Sequence, residues 1–229
     1  MAPSARKIIG TVGYMGGIPT LCEPFAWSWG NMIQYNTEYL CAPGERMHYV
    51  RSTISYHAAA RNGIVKEARG DFLLMLDTDH SFDPDIVARM WHRMEKYNLD
   101  VLSAFYLHRA PPHVPVIYKF SEDGKSFENI GDWDRTPGKT FIKVAGAGAG
   151  CLMVRRSVFK RIEQELKEEP FDIIHPFGED LSFFMRLKKL GIDVFCDYTI
   201  ECHHLSYAPL SLEDYNIDAV TISPHSHVS

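Results

Sequence analysis

Residues 71–80 read DFLLMLDTDH. Five apolar residues, Phe72–Leu76, stop abruptly at Asp77 and Asp79. An unbroken apolar run of this length, between Gly70-Asp71 and a polar turn, predicts a strand buried on both faces, as in a parallel α/β sheet. Ligands of such sheets bind at the carboxyl ends of the strands. This strand carries two carboxylates there, one residue apart. Carboxylate oxygens suit hard divalent cations, and magnesium or manganese is often shared between one or two carboxylates and substrate phosphates. The stretch therefore predicts a metal–phosphate site at the rim of a sheet.

Upstream, residues 7–12 predict a first strand, followed by a glycine-rich turn at Gly13, Gly16 and Gly17. Thr20 and Glu23 have capping-box spacing, which starts a helix over about 21–40. A second strand is expected over 47–52. An alanine-rich helix follows over about 56–68, ending at Gly70. Downstream, Asp83 and Pro84 supply an N-cap and a first-turn proline. Ile86, Val87, Met90, Trp91 and Met94 then give the apolar face of a helix, and 101–106 a fourth strand. This alternation predicts a mostly parallel, doubly wound α/β sheet with helices on both faces.

The second half is less regular. Residues 110–115 are proline-rich and 116–120 predict a short strand. Residues 121–140 are polar, with Trp133 isolated among acids. Strands over 141–145 and 151–154 flank the run AGAGAG. Ser157 caps a helix, and another runs from Glu179 to Gly191. Residues 194–196 predict a last strand, and 206–229 an irregular tail. The expected organisation is one domain over 1–206, with a nucleotide half to about 110 and an acceptor half beyond it.

The chain has 229 residues, enough for one sizeable core. Its 24 basic and 29 acidic residues leave a net charge of −5, which gives no electrostatic case for a nucleic-acid binder. No apolar stretch approaches the roughly 20 residues that span a bilayer, and no long apolar segment near the start suggests a signal peptide. Five cysteines without a C-x-x-C pair read as buried thiols in a reducing compartment. A cytoplasmic protein, free or peripheral to a membrane, is expected.

Other residues bear on the chemistry. Gly178, Glu179 and Asp180 open an amphipathic helix. The macrodipole favours carboxylates there whatever their role, but Asp can also take a proton from an acceptor hydroxyl. His203 and His204 follow the expected last strand. A neutral imidazole ligates manganese or zinc, and adjacent residues of an extended segment face opposite ways, so one of the two is the expected ligand. His225 and His227 fall in the tail and are set aside. Gly146, Gly148 and Gly150 are not followed by the helix a phosphate loop needs; they read as backbone in close approach to a ligand or another segment. Arg61, beside Asn62, either reaches a diphosphate or pairs on its helix surface with an acid such as Glu67.

In order, ARN, LDTD, AGAGAGCLMVRRSVF, FGEDLSFFMRLKKLG and CHHLS resemble the family-2-like glycosyltransferases of GT-A fold, over about residues 7–206. The resemblance implies a hexosyltransferase-type enzyme using a nucleotide-sugar, with UDP the expected nucleotide, and Mn2+ or Mg2+. It implies that Asp79 ligates the metal and that Asp77 contacts ribose or metal, with Thr78 between them beside the donor. It implies that Asp180 is the base of an inverting transfer and that Glu179 orients a substrate. His204 matches the metal-completing histidine best, with His203 the alternative. Arg61 and Asn62 would lie near the nucleotide, Val12, Gly13 and Tyr14 by the nucleobase, and Gly148 close to the donor.

The acceptor is open: a glycan, a lipid-linked sugar, a protein or a modified base. The loop over 12–17 lacks an acid to read the base edge, and the Gln-x-x-Arg-Trp signature of processive synthases is missing, so single-sugar transfer fits better. Three rivals share features of the pattern. A haloacid-dehalogenase-like phosphohydrolase also ends a strand in D-x-D, but on its first strand. A nucleotidyltransferase would need a basic glycine-rich first loop. A non-catalytic sugar- or nucleotide-binding module would keep the fold alone.

Overall fold

The computed structural model describes residues 6–16, 21–131 and 138–206. Gly17, Thr20, Trp133 and the tail with His225 and His227 lie outside them. Phe72–Leu76 is the third strand, β3, after β1 (Lys7–Met15) and β2 (Glu45–Ser52). All five of its residues are buried, and its side chains feed two cores. Leu73 and Met75 join Ile64, Phe159, Phe183 and Leu187 on one face. Phe72, Leu74 and Leu76 join Phe25, Met32, Val87 and Met90 on the other. These partners come from α2 (His57–Glu67), α4 (Arg156–Arg161) and α5 (Glu179–Lys189) on the first face. On the second they come from α1 (Glu23–Tyr35) and α3 (Ile86–Tyr97). Removal of each such side chain from water contributes roughly 1.5–3 kcal/mol, and β3 makes that gain on both faces.

Among the described residues the main sheet has eight strands. It includes β4 (His80–Phe82), β5 (Val101–Phe105), β8 (Phe141–Val144), β10 (Cys151–Arg155) and β11 (Val194–His204). Its order is β2-β1-β3-β10-β5-β11-β4, with β8 also on β11. β1, β2, β3, β5 and the start of β11 run one way, while β4, β8 and β10 run against them. The expected parallel arrangement thus holds for most strands and is broken by β10, inserted antiparallel between β3 and β5. The cause is local: β10 is entered from the glycine run through β9 (Gly146–Ala147), without the helical crossover a parallel neighbour needs. β9 pairs with β6 (Ile117–Phe120), which pairs with β7 (Phe127–Asn129), in a small second sheet.

Several boundaries differ from expectation. α1 is capped at Cys22, with a proline in its first turn. It stops at Tyr35 and passes into a π-helical turn, Asn36–Leu40. α3 is capped at Asp85, so Pro84 precedes the helix, and α4 is capped at Arg155, which leaves Ser157 inside its first turn.

The largest difference concerns the last strand, which continues through His204 where residues 194–196 were expected to end it. Its register with β5 breaks between Asp197 and Glu201, and the freed end pairs with β4. The break hid the strand from a search for apolar alternation: Asp197 is buried at the bend, its charge met by Arg93 at 2.6 Å. β4 was likewise hidden, in a segment that reads as a turn.

Gly70 sets the entry to β3. Its φ is +79°, and a Cβ there would lie 2.4 Å from the backbone N of Gly10 and C of Ile9. Gly70→Ala is expected to destabilise the fold by at least about 2 kcal/mol, from left-handed strain and the backbone shift it forces. Urea unfolding reads this directly; an unchanged midpoint contradicts it.

Candidate active site

The carboxyl end of β3 is tied down on both sides. The Asp77 N–H donates to the Gly150 carbonyl (2.9 Å) and the Asp79 carbonyl accepts from the Leu205 N–H (2.7 Å). Ends of β3, β10 and β11 therefore meet where the two aspartates stand.

Arg61 links this edge to the rest of the site. Its side chain is 4% exposed. Nη2 donates to Asp77 Oδ1 (3.0 Å) and Oδ2 (3.3 Å), Nε to Glu179 Oε1 (3.3 Å) and Nη1 to the Ala149 carbonyl (3.1 Å). Burial works against the guanidinium charge, but Asp77 and Glu179 outweigh it and raise the pKa further. Neither sequence reading of Arg61 describes this. It is no surface ion pair with Glu67, and its donors are committed to protein acceptors at the end of β3, on α5 and in the loop before β10.

Asp79 carries a second cluster. His80 Nδ1 lies 3.1 Å from Oδ1, and His204 Nε2 lies 3.2 Å from Oδ2. Arg109 Nη1 donates to Oδ2 at 3.1 Å. One donor atom each from Asp79, His80 and His204 lies within 4.8 Å of the others, a grouping that fits a metal ion. Tautomers strengthen the point. The His204 Nδ1–H donates to the Leu107 carbonyl (3.0 Å), so in the neutral ring Nε2 turns a lone pair towards a carboxylate oxygen. A proton or a metal ion must lie between them. The Asp79 hydrogen bond raises the His204 pKa. Burial opposes the Asp79 charge, but His204 and His80 hold its pKa far below the usual carboxylate range. His80 Nε2 is buried without a hydrogen-bond partner among the described residues.

α5 brings the third element. Phe183 stacks on Phe171 at 4.8 Å, and the Ile174 N–H donates to Ser182 Oγ (2.8 Å), which fixes the helix entry. Glu179 and Asp180 then line a cavity of about 180 Å³ with Arg61, Asp77, His80 and His204. Burial, then the charge of Glu179, raises the Asp180 pKa. Tyr106 lines the same cavity, and its hydroxyl accepts from the Gly150 N–H (3.1 Å). Burial and the nearby Asp77 keep that hydroxyl protonated. Gly148 is required there, since a Cβ would lie 2.1 Å from Tyr106 Oη.

Of the residues singled out in the sequence, Arg61, Asp77, Asp79, Gly148, Glu179, Asp180 and His204 converge here. Thr78 occupies the turn between the aspartates. His203 pairs with Ser81 on the outer part of β11 and is exposed. The Asn62 amide is engaged by Asp172 Oδ1 (2.9 Å) and the Phe171 N–H (2.9 Å), which brace the segment before α5. Val12 is fully buried, Gly13 packs on Ile64, and the Tyr14 ring packs against Trp29 at 4.8 Å. Met15 is the β1 residue that reaches the cavity. His80, Tyr106 and Arg109 were not singled out. His80 directly follows Asp79, the one signal that pointed to it.

Arg61→Met is expected to leave two acids partly buried and unpaired, at a cost of about 3–5 kcal/mol. Arg61→Lys recovers little of this, because an ammonium cannot fork to Asp77, Glu179 and Ala149 together. Urea midpoints for both variants test it; wild-type stability in either contradicts the role.

A197 from STIV, in its crystal structure, is similar to this chain with a TM-score of 0.58 at 16% identity, over 86% of each chain. At that identity the likeness bears on the fold alone. No curated protein matches in sequence. A family model described as "Glycosyl transferase family 2" matches residues 34–163. The matched stretch takes in Arg61, Asp77, Asp79 and Gly148, while Asp180 and His204 lie beyond it. With more than half of its length matched, the chain belongs to glycosyl transferase family 2.

Proposed function

We propose that the protein transfers a single sugar from a nucleotide-sugar, UDP-linked in the first instance, to an acceptor hydroxyl, with a divalent metal and with inversion. The observation that carries this reading is the Asp79–His80–His204 grouping at the strand end, with His80 and His204 also lining the cavity that holds Asp180. The pKa of Asp79, beside two imidazoles, lies far below the usual carboxylate range, and that of Asp180, which lines the cavity, is raised from the ordinary aspartate value. Acids pushed apart in this way suit separate roles.

Asp79 and His204 would hold the metal, with Mn2+ or Mg2+ the expected ion. The imidazole favours manganese of the two. Bound there, such an ion supplies charge neutralisation for a departing diphosphate. Asp180 takes the proton of the attacking hydroxyl; its raised pKa makes it a stronger base than an ordinary aspartate. Tyr106 retains a proton that it can donate to a sugar or phosphate oxygen. Arg61 acts through Asp77 and Glu179, as a positioning residue. The 180 Å³ cavity is smaller than the roughly 300 Å³ at which small-molecule pockets begin, so it suits the reacting end of the donor. No described helix is long and apolar enough to cross a membrane.

A screen of nucleotide-sugars for manganese-dependent binding and hydrolysis tests the reading and identifies the donor; acceptors follow from glycans, lipid-linked sugars, proteins and modified bases. Asp79→Ala is expected to abolish metal-dependent donor binding. Asp180→Asn is expected to bind donor normally and lose transfer by at least about 100-fold. Full activity in either variant sinks its assignment. Donor binding without transfer or hydrolysis would favour a binding module.

Asp180 also gives a pH signature. A pKa raised in the folded state means that the fold binds this proton more tightly than the unfolded chain does. Its contribution to stability therefore falls as pH rises from the unfolded value through the folded one. Asp180→Asn removes that loss, so the variant is expected to be at least as stable as wild type at neutral pH. In wild type, the acid limb of kcat/KM is expected above the ordinary aspartate range. Thermal melts and a pH–rate profile check both.

A further inference from the structure

Arg109 holds the Asp79 oxygen that a metal would need, yet its side chain is 59% exposed. Both Arg109 Nη1 and His204 Nε2 approach Oδ2, while Oδ1 faces His80. The loop that carries Arg109 is itself anchored to the site. The Leu107 carbonyl accepts from His204, Leu107 bridges to Pro115, and the His108 N–H donates to the Val114 carbonyl. The backbone at Arg109 is thus held beside Asp79, while its long side chain lies largely in solvent.

Charge makes the position consequential. Asp77, Glu179 and Asp180 line the cavity and Asp79 borders it, against the buried Arg61, whose donors are already committed. Four carboxylates outnumber the Arg61 guanidinium and the His204 imidazole, and the excess of negative charge opposes the entry of a diphosphate. A divalent cation offsets part of it. An arginine at the edge, with a planar fork suited to phosphate, offsets more.

We propose that Arg109 is an exchangeable counter-cation. It pairs with Asp79 when no metal is bound, is displaced from Oδ2 by the metal, and then binds the donor's diphosphate. This rests on the reading of Asp79 as a metal ligand and adds a donor-binding residue to it.

The test titrates Mn2+ alone into wild type, Arg109→Ala, Arg109→Lys and Asp79→Ala, following the free-ion paramagnetic resonance signal. UDP, GDP, ADP and dTDP are then titrated calorimetrically at saturating Mn2+. Arg109→Ala is expected to bind Mn2+ up to about fivefold tighter, since a competing exposed ion pair is gone. It is expected to bind the preferred nucleotide about tenfold more weakly, from loss of a charge-assisted contact, with Arg109→Lys in between. Unchanged Mn2+ and nucleotide affinities in Arg109→Ala overturn the proposal and leave the metal reading standing. Equal Mn2+ binding by wild type and Asp79→Ala, or no nucleotide bound by wild type, overturns both.

Discussion

The site depends on one buried cation. Arg61 sits under the carboxyl edge of the sheet and meets Asp77, Glu179 and the Ala149 carbonyl with three of its nitrogens. Each acceptor belongs to a different part of the chain, so the guanidinium fixes the strand end, the start of α5 and the glycine loop relative to one another. A fully desolvated guanidinium is tolerable only when its donors are satisfied and its charge is met. Here both conditions are met by the residues that shape the cavity. The same pairing leaves Asp180, next to Glu179 but outside the Arg61 hydrogen bonds, as the acid whose pKa rises.

The second constraint is the bend of β11. Had the strand ended at Cys196, His204 would not lie against Asp79 beside His80. The break after Asp197 redirects it onto β4, and the pairing sets His204 opposite His80. Their rings stack at 4.5 Å, and Tyr106 meets His80 edge-on at 4.7 Å. The result is a centre rich in imidazole beside a cavity rich in carboxylate. A metal–phosphate group suits the first, and a hydroxyl about to lose its proton suits the second.

Much of this was legible in the sequence. The run Phe72–Leu76 states its burial on both faces, and α3 shows its apolar face residue by residue, because side-chain period reports burial directly. The two aspartates at the strand end and the Glu-Asp at the start of α5 are local patterns and were found as such. The antiparallel entry of β10 was not legible, since an apolar strand gives no sign of its direction. The length of β11 was missed because a bulge and a buried ion pair interrupt its alternation. The partners of Arg61 lie 16 and 118 residues away, so no local pattern reveals that it is a buried hub. His80 shows how a residue beside a motif can be overlooked when the motif itself has no place for it.

The most direct measurement is a crystal structure of the chain with Mn2+ and its nucleoside diphosphate, located by the anomalous signal of manganese. One manganese is expected at Asp79 and His204, with the diphosphate beside it at the cavity that Asp180 lines. Manganese held elsewhere, or a nucleotide bound away from the end of β3, would contradict this expectation.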